Sequence, residues 1–124
     1  YGRRFTAQQE TRVATVPGGY ADGYPRALSP GGAVVLIRGQ RCPVLGRICM
    51  DQLMADVSGV EGAAMGDRVT LIGRDGTEEI TAGEVAGWEG TINYEVVCAL
   101  SKRVPRVYLK GGRVESIYNQ LLTE

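Results

Sequence analysis

Histidine is absent from these 124 residues, and its absence removes the imidazole base on which serine-type and cysteine-type hydrolysis ordinarily rest. Any acid-base chemistry therefore falls to tyrosine, cysteine or a carboxylate. Only three cysteines are present, Cys42, Cys49 and Cys98, at spacings that match no metal or redox pattern, so the usual zinc sites are excluded and no metal is expected. An odd number of thiols with no secretory start fits reduced cysteines in the cytoplasm. Lysine is nearly missing: Lys102 and Lys110 stand against twelve arginines. The forked guanidinium suits carboxylate pairing and interface work, but a GC-rich genome produces the same bias. Surplus charge of either sign is lacking too, since fourteen basic and fourteen acidic residues cancel; this argues against nucleic-acid and anionic-membrane partners. No apolar run approaches the ~20 residues of a membrane span.

What is present is enough for one domain with a real apolar core. The strand signals are short and punctuated by glycine. Residues 11–16 (TRVATV) alternate before Pro17, and residues 33–38 (AVVLIR), after a turn at 29–32, read as the clearest buried strand. Gly39-Gln40 turns into residues 41–45, where Pro43 argues for a sheet edge. Residues 53–57 (LMADV) form another strand, followed by a small-residue loop over 58–67. Residues 68–72 (RVTLI) should pair through the Asp75-Gly76 turn with residues 77–80. Thr81 with Glu84 reads as a capping box for a short helix carrying Val85, Ala86 and Trp88 and ending near Gly90. A second helix starts from Thr91 or Asn93, with Val96, Val97 and Leu100 as its apolar face. Residues 103–109 and 113–118 form a last hairpin through Gly111-Gly112. Eight or so short strands and two short helices predict a mostly β domain, a Greek-key-like β-barrel rather than an open sheet with bare edges.

One stretch fits neither a helical nor a strand period. GRICMDQ, residues 46–52, mixes an apolar pair, a thiol and a carboxylate with a cation and an amide. It is either a binding loop leaving a strand or an irregular strand feeding Ile48, Met50 and Leu53 into the core. The loop GGYADGYPR, residues 18–26, raises the same choice: its two tyrosines either serve a site or pack over a barrel end with hydroxyls bonded to backbone. Tyr94 is a core-packing aromatic at a helix start or a functional one.

These stretches, with YGRRFTAQ at the start, GTINYEVVCAL near residue 95 and RVPRVY beyond it, occur in an order that resembles the C-terminal domain of bacterial alanine racemase, a fold-type III pyridoxal-phosphate enzyme family, across nearly the whole chain. The resemblance implies a two-domain enzyme. Its N-terminal (β/α)8 barrel would hold pyridoxal 5'-phosphate as a Schiff base to lysine, and a β-rich C-terminal domain would complete the partner subunit's active site in a homodimer. The barrel is not in this chain, and neither Lys102 nor Lys110 sits in a cofactor motif. A chain that starts at Tyr1 without Met is expected to be a fragment of a longer protein, inactive alone.

Residue roles follow from the same resemblance. Tyr1 would be the second acid-base residue, facing the substrate Cα from the side opposite the barrel lysine, because inverting a stereocentre needs a proton taken from one face and returned to the other. A phenol ordinarily titrates near about 10, so groups from the barrel would have to ease its deprotonation. Met50 would offer its backbone N–H to the substrate carboxylate, with Cys49 and Asp51 in support. Tyr20 would line the inner entrance, Tyr94 would bond the cofactor phosphate, and Arg26, Arg47 and Ile92 would lie further out along the channel. Crowding by the tyrosines would favour alanine. The expected function is racemisation of L- and D-alanine for the D-alanine of cell-wall peptidoglycan. Gly18 departs from the branched residue more usual before GYADG and would loosen that strand end. Three other readings stand beside this one: a serine or broad-range racemase, an amino-acid decarboxylase of the same fold type, and a stand-alone β-barrel interaction module without chemistry.

Overall fold

In the computed structural model, which describes residues 1–29 and 31–122, the expected buried strand forms as β2 (Val34–Ile37). Val35 and Leu36 are wholly shielded from solvent. Cover on both faces is why this segment reads as a continuous apolar run instead of alternating. β2 turns through Arg38 and Gly39, at φ 52° and 71°, into β3 (Gln40–Leu45). A two-residue turn with both φ values positive matches the twist of the strands it joins; it falls one residue earlier than the Gly39-Gln40 pair. Pro30, in the turn expected at 29–32, lies outside the described residues.

With β1 (Val13–Val16), β4 (Leu53–Asp56) and β5 (Val69–Thr70), the main sheet runs β1-β4-β3-β2-β5, antiparallel at every pairing. Strands β2, β3 and β4 meander and β1 lies beside β4, which is a Greek-key order. The sheet curls into a half-barrel. β3 is therefore interior, contrary to the edge position that Pro43 implied. The ladder explains the exception. Val44 N donates to Ala33 O, so by antiparallel alternation Pro43 turns its nitrogen away from β2, toward β4. The β3–β4 pairing extends only to Val44 opposite Ala55, and no ladder bond is lost.

The Asp75-Gly76 turn forms, but its first arm is β6 (Gly73–Asp75), paired with β7 (Glu78–Ile80). Val69–Thr70 instead continues the main sheet against Leu36 and Ile37. Gly73, at φ 127°, breaks what looked like one strand into two. Thr81 caps α1 (Ala82–Glu89), accepting from Glu84 N at 3.0 Å, and Gly90 ends it in the left-handed conformation. α2 (Asn93–Cys98) starts from Ile92 without a side-chain cap, so neither Thr91 nor Asn93 plays that part. The Thr91 N–H already donates to Ala86 O in closing α1. Of the expected apolar face, Val96 is buried while Val97 and Leu100 are exposed.

The core gathers Leu28, Leu36, Ile48, Leu53, Ile80, Val85 and Val96 and contains no buried polar or charged residue among those described. At ~25 cal/mol per Å2, such side chains are worth about 1.5–3 kcal/mol each on burial. Beyond the core, β8 (Arg106–Lys110) and β9 (Arg113–Tyr118) pair only with each other, with a register shift at Tyr108 and Leu109. No helix among the described residues is long and apolar enough to cross a membrane.

Candidate active-site face

The stretch GRICMDQ leaves β3 as a loop to β4, and it feeds Ile48 and Leu53 into the core but not Met50, contrary to the irregular-strand expectation. Ile48 is the core anchor, fully buried, with its N–H donated to Ser29 Oγ at 2.7 Å. That one plug fixes the residues after it at the surface, where Met50 is 52 % exposed. Cys49 N donates to Gln52 O at 2.9 Å, and the carbonyls of Cys49 and Met50 accept from Tyr20 N and Ala21 N, both at 3.0 Å. The Met50 carbonyl is thus occupied. Its N–H has no acceptor among the described residues.

The second loop meets the first main chain to main chain. A Cβ on Gly19 would stand 2.2 Å from Cys49 O and 2.5 Å from Met50 O, so only glycine permits the contact. Residues Tyr20–Asp22 form one turn of 3-10 helix, closed by Asp22 Oδ2 accepting from Gly19 N at 2.9 Å. Gly23, at φ 106°, lies against the end of α2, where a Cβ would fall 2.4 Å from Ala99 O. Ser101 N donates to Asp22 O at 3.1 Å. Residues 19–23 therefore bracket the Met50 loop on one side and the exit of α2 on the other. Tyr94 lies in the first turn of α2, the helix whose exit meets Gly23. Tyr94 and Ile92 are exposed.

Of the two tyrosines of the glycine loop, Tyr20 is exposed, whereas Tyr24 is buried; its hydroxyl, expected to bond to backbone, has no partner among the described residues, and burial pushes its pKa up to about 12. Tyr24 is a packing residue. Tyr1 is 73 % exposed, and the Arg26 guanidinium lies 5.7 Å from its ring centroid, within cation-π range. Arg47 reaches back toward Gly2, whose added Cβ would sit 3.2 Å from Arg47 Nη1. A cavity of about 290 Å3 joins Tyr1, Arg47 and Cys49 with Phe5 and Met54. The structure so brings Tyr1, Arg47 and Cys49 to one cavity, with Arg26 over the Tyr1 ring and Tyr20 bonded to the Cys49 carbonyl, next to Met50 and Asp51. Ile92 and Tyr94 are attached through α2.

Arg103 joins these loops although no motif or spacing singled it out. Its Nη2 donates to Asp51 Oδ1 at 2.7 Å, and its Nε stands 3.6 Å from Asp22 Oδ1. A partner 52 residues away leaves no local periodic trace. Lys110 pairs with Glu115 at 3.6 Å on the terminal hairpin, and Lys102 is exposed in the loop before β8. No cluster of three metal-ligating side chains occurs among the described residues.

Comparison with known proteins adds a lineage. The family described as alanine racemase, C-terminal domain, matches residues 1–108. An alanine racemase of Clostridium acetobutylicum is 51 % identical over 119 residues, covering 96 % of this chain and 31 % of the relative. One from Desulfovibrio desulfuricans is 57 % identical over 110 residues, covering 89 % of this chain and 29 % of its own length. Among solved structures, alanine racemase from Bacillus anthracis with bound L-Ala-P superposes with a TM-score of 0.91 at 44 % identity, covering 98 % of this chain and 30 % of that one. The Clostridium difficile 630 enzyme in complex with cycloserine gives 0.90 at 43 %, covering 98 % and 31 %. The chain thus spans less than a third of the length of these relatives.

Proposed function

Because this chain belongs to the alanine racemase C-terminal domain family, we propose that it supplies one wall of the active site of a pyridoxal-phosphate-dependent alanine racemase. The other wall would come from a barrel domain, held in a cytoplasmic homodimer so that each C-terminal domain serves its partner. The reaction interconverts L- and D-alanine for peptidoglycan. The observation that carries this reading is the Met50 main chain, whose carbonyl is tied to Ala21 while its N–H is left without an acceptor on an exposed loop. An unpaired amide held rigidly at a surface is a ready donor to a substrate carboxylate.

The residues of this face fit pyridoxal phosphate as a second wall and not as its anchor. Tyr94 presents an exposed phenol suited to a phosphate oxygen, but neither lysine is set to hold the cofactor aldehyde. When bound, the cofactor delocalises the electron pair that the departing α-proton leaves behind. Everything else falls to side chains and main chain. The Met50 N–H orients the carboxylate, the Tyr1 hydroxyl moves a proton at one face of Cα, and Tyr20 and Tyr94 leave space for a methyl group beyond it. Arg26, stacked on the Tyr1 ring, limits where that hydroxyl can swing.

The test uses the full-length protein and its Tyr1→Phe variant in deuterated water. In the variant, one alanine enantiomer should still exchange its α-proton without inverting, while exchange from the other falls by about a hundredfold or more. Equal loss of exchange from both enantiomers contradicts the assignment of Tyr1.

A further inference from the structure

A carboxylate is an odd neighbour for a carboxylate-binding amide. Asp51 follows Met50 directly, and its side chain is 60 % exposed, so left free it would repel an anionic substrate approaching the Met50 N–H. The structure shows it is not free. Arg103 Nη2 holds Asp51 Oδ1 at 2.7 Å, and the same guanidinium reaches Asp22 Oδ1 at 3.6 Å. Asp22 is itself fixed, since its second oxygen accepts from Gly19 N at 2.9 Å and its carbonyl accepts from Ser101 N at 3.1 Å. Arg103 is anchored on the same segment, its own N–H donating to Ser101 Oγ at 3.1 Å. One cation therefore joins three stretches that are far apart in sequence: the turn at 19–23, the loop at 46–52 and the segment leaving α2. Asp51 is its least anchored partner. Pairing with Asp51, ahead of the Coulombic pull of both aspartates, holds the guanidinium above its ordinary pKa.

We propose that Arg103 is a positioning residue for substrate binding: it turns the Asp51 carboxylate aside, offsets its charge, and so leaves the Met50 amide open to the substrate carboxylate. This rests on the reading of Met50 given above. Exposed ion pairs usually add little to stability, so the expected consequence lies in binding and not in folding. Losing the cation leaves two carboxylates facing each other across the two loops, and the displacement of Asp51 is passed to the adjoining peptide.

In the full-length racemase, Arg103→Gln should raise KM for alanine about tenfold while kcat changes less than about threefold and the thermal midpoint stays within about 3 °C. Arg103→Lys, which keeps the charge but not the fork, should recover part of the loss. The deciding variant is Arg103→Gln combined with Asp51→Asn. With the offending charge removed, KM should fall back to within about threefold of the parent, a recovery that a merely structural role for Arg103 does not produce. A double variant as poor as Arg103→Gln alone, or an unchanged KM in Arg103→Gln, overturns the proposal. A backbone ester at Met50, made by installing the α-hydroxy analogue of methionine, removes that N–H and alters no side chain, weakening besides it only the Cys49 carbonyl that accepts from Tyr20 N. If the ester raises KM while Arg103→Gln does not, the role of Arg103 fails and the Met50 reading survives; if the ester leaves KM unmoved, both fail.

Discussion

Two surfaces of this domain are left open, and they are built in opposite ways. The surface carrying Tyr20 and Met50 is cross-tied by main-chain bonds from Tyr20 and Ala21 to the Met50 loop and by glycines packed too closely to admit a Cβ. The β8–β9 hairpin presents Val107 and Leu109 opposite Ile117 and Val114 on one face, each more than half exposed. No other strand among the described residues pairs with it. The family match stops at residue 108, inside β8. An isolated two-stranded hairpin is marginal by itself, whereas a loop bracketed on both sides is held in one conformation. The difference separates exposure that is engineered into a rigid surface from exposure on an appendage, and it is the first kind that can orient a small substrate.

Substitutions at the glycines should break that contrast most severely. Gly19 has an extended backbone at φ −151° that any residue adopts, so Gly19→Ala fails through the collision with Cys49 O and not through strain. It should cost about 3 kcal/mol or more by urea unfolding, with loss of activity. Gly23→Ala combines a positive φ with the contact to Ala99 O and should be similarly damaging. Ser29→Ala is milder. It leaves the buried Ile48 N–H without its acceptor, which should cost about 1–2 kcal/mol and loosen the loop behind Met50.

At the other surface, ending the full-length protein after Val104 should lower stability by about 1 kcal/mol or less, because the hairpin contributes no residue to the principal core. A loss as large as that of Gly19→Ala would show that the two surfaces are not built differently after all. The smallest effect should come from acid. The Glu84 carboxyl is held below its ordinary value by its bond to Arg41, and Asp67 by the Ala64 N–H. Depressed folded-state values mean that this stability is fully present above the usual carboxylate range and is lost as pH falls through the depressed values. Unfolding midpoints should therefore be flat near neutrality and decline only below about pH 4, with neither surface affected first.

Much of the fold was legible in local chemistry. Thr81 and Gly90 bounded α1, Asp75-Gly76 marked its hairpin, and AVVLIR announced the buried strand. Pairing partners were not legible, because register depends on contacts far along the chain. Thus Val69–Thr70 left its apparent hairpin for β2, and Pro43 sat in an interior strand at a place where no donor was needed. The candidate site residues were named through their motifs and not through any contact the sequence displays. Arg103 was not, since a clasp on Asp51 and Asp22 exists only once three separate segments meet.

The most direct measurement is a crystal structure of the full-length protein with alanine or a carboxylate analogue bound at the cofactor. A Met50 nitrogen about 2.7–3.2 Å from a ligand carboxylate oxygen, with the Tyr1 hydroxyl beside Cα, is the predicted result. A carboxylate held elsewhere, with the Met50 N–H turned to solvent, would contradict the account.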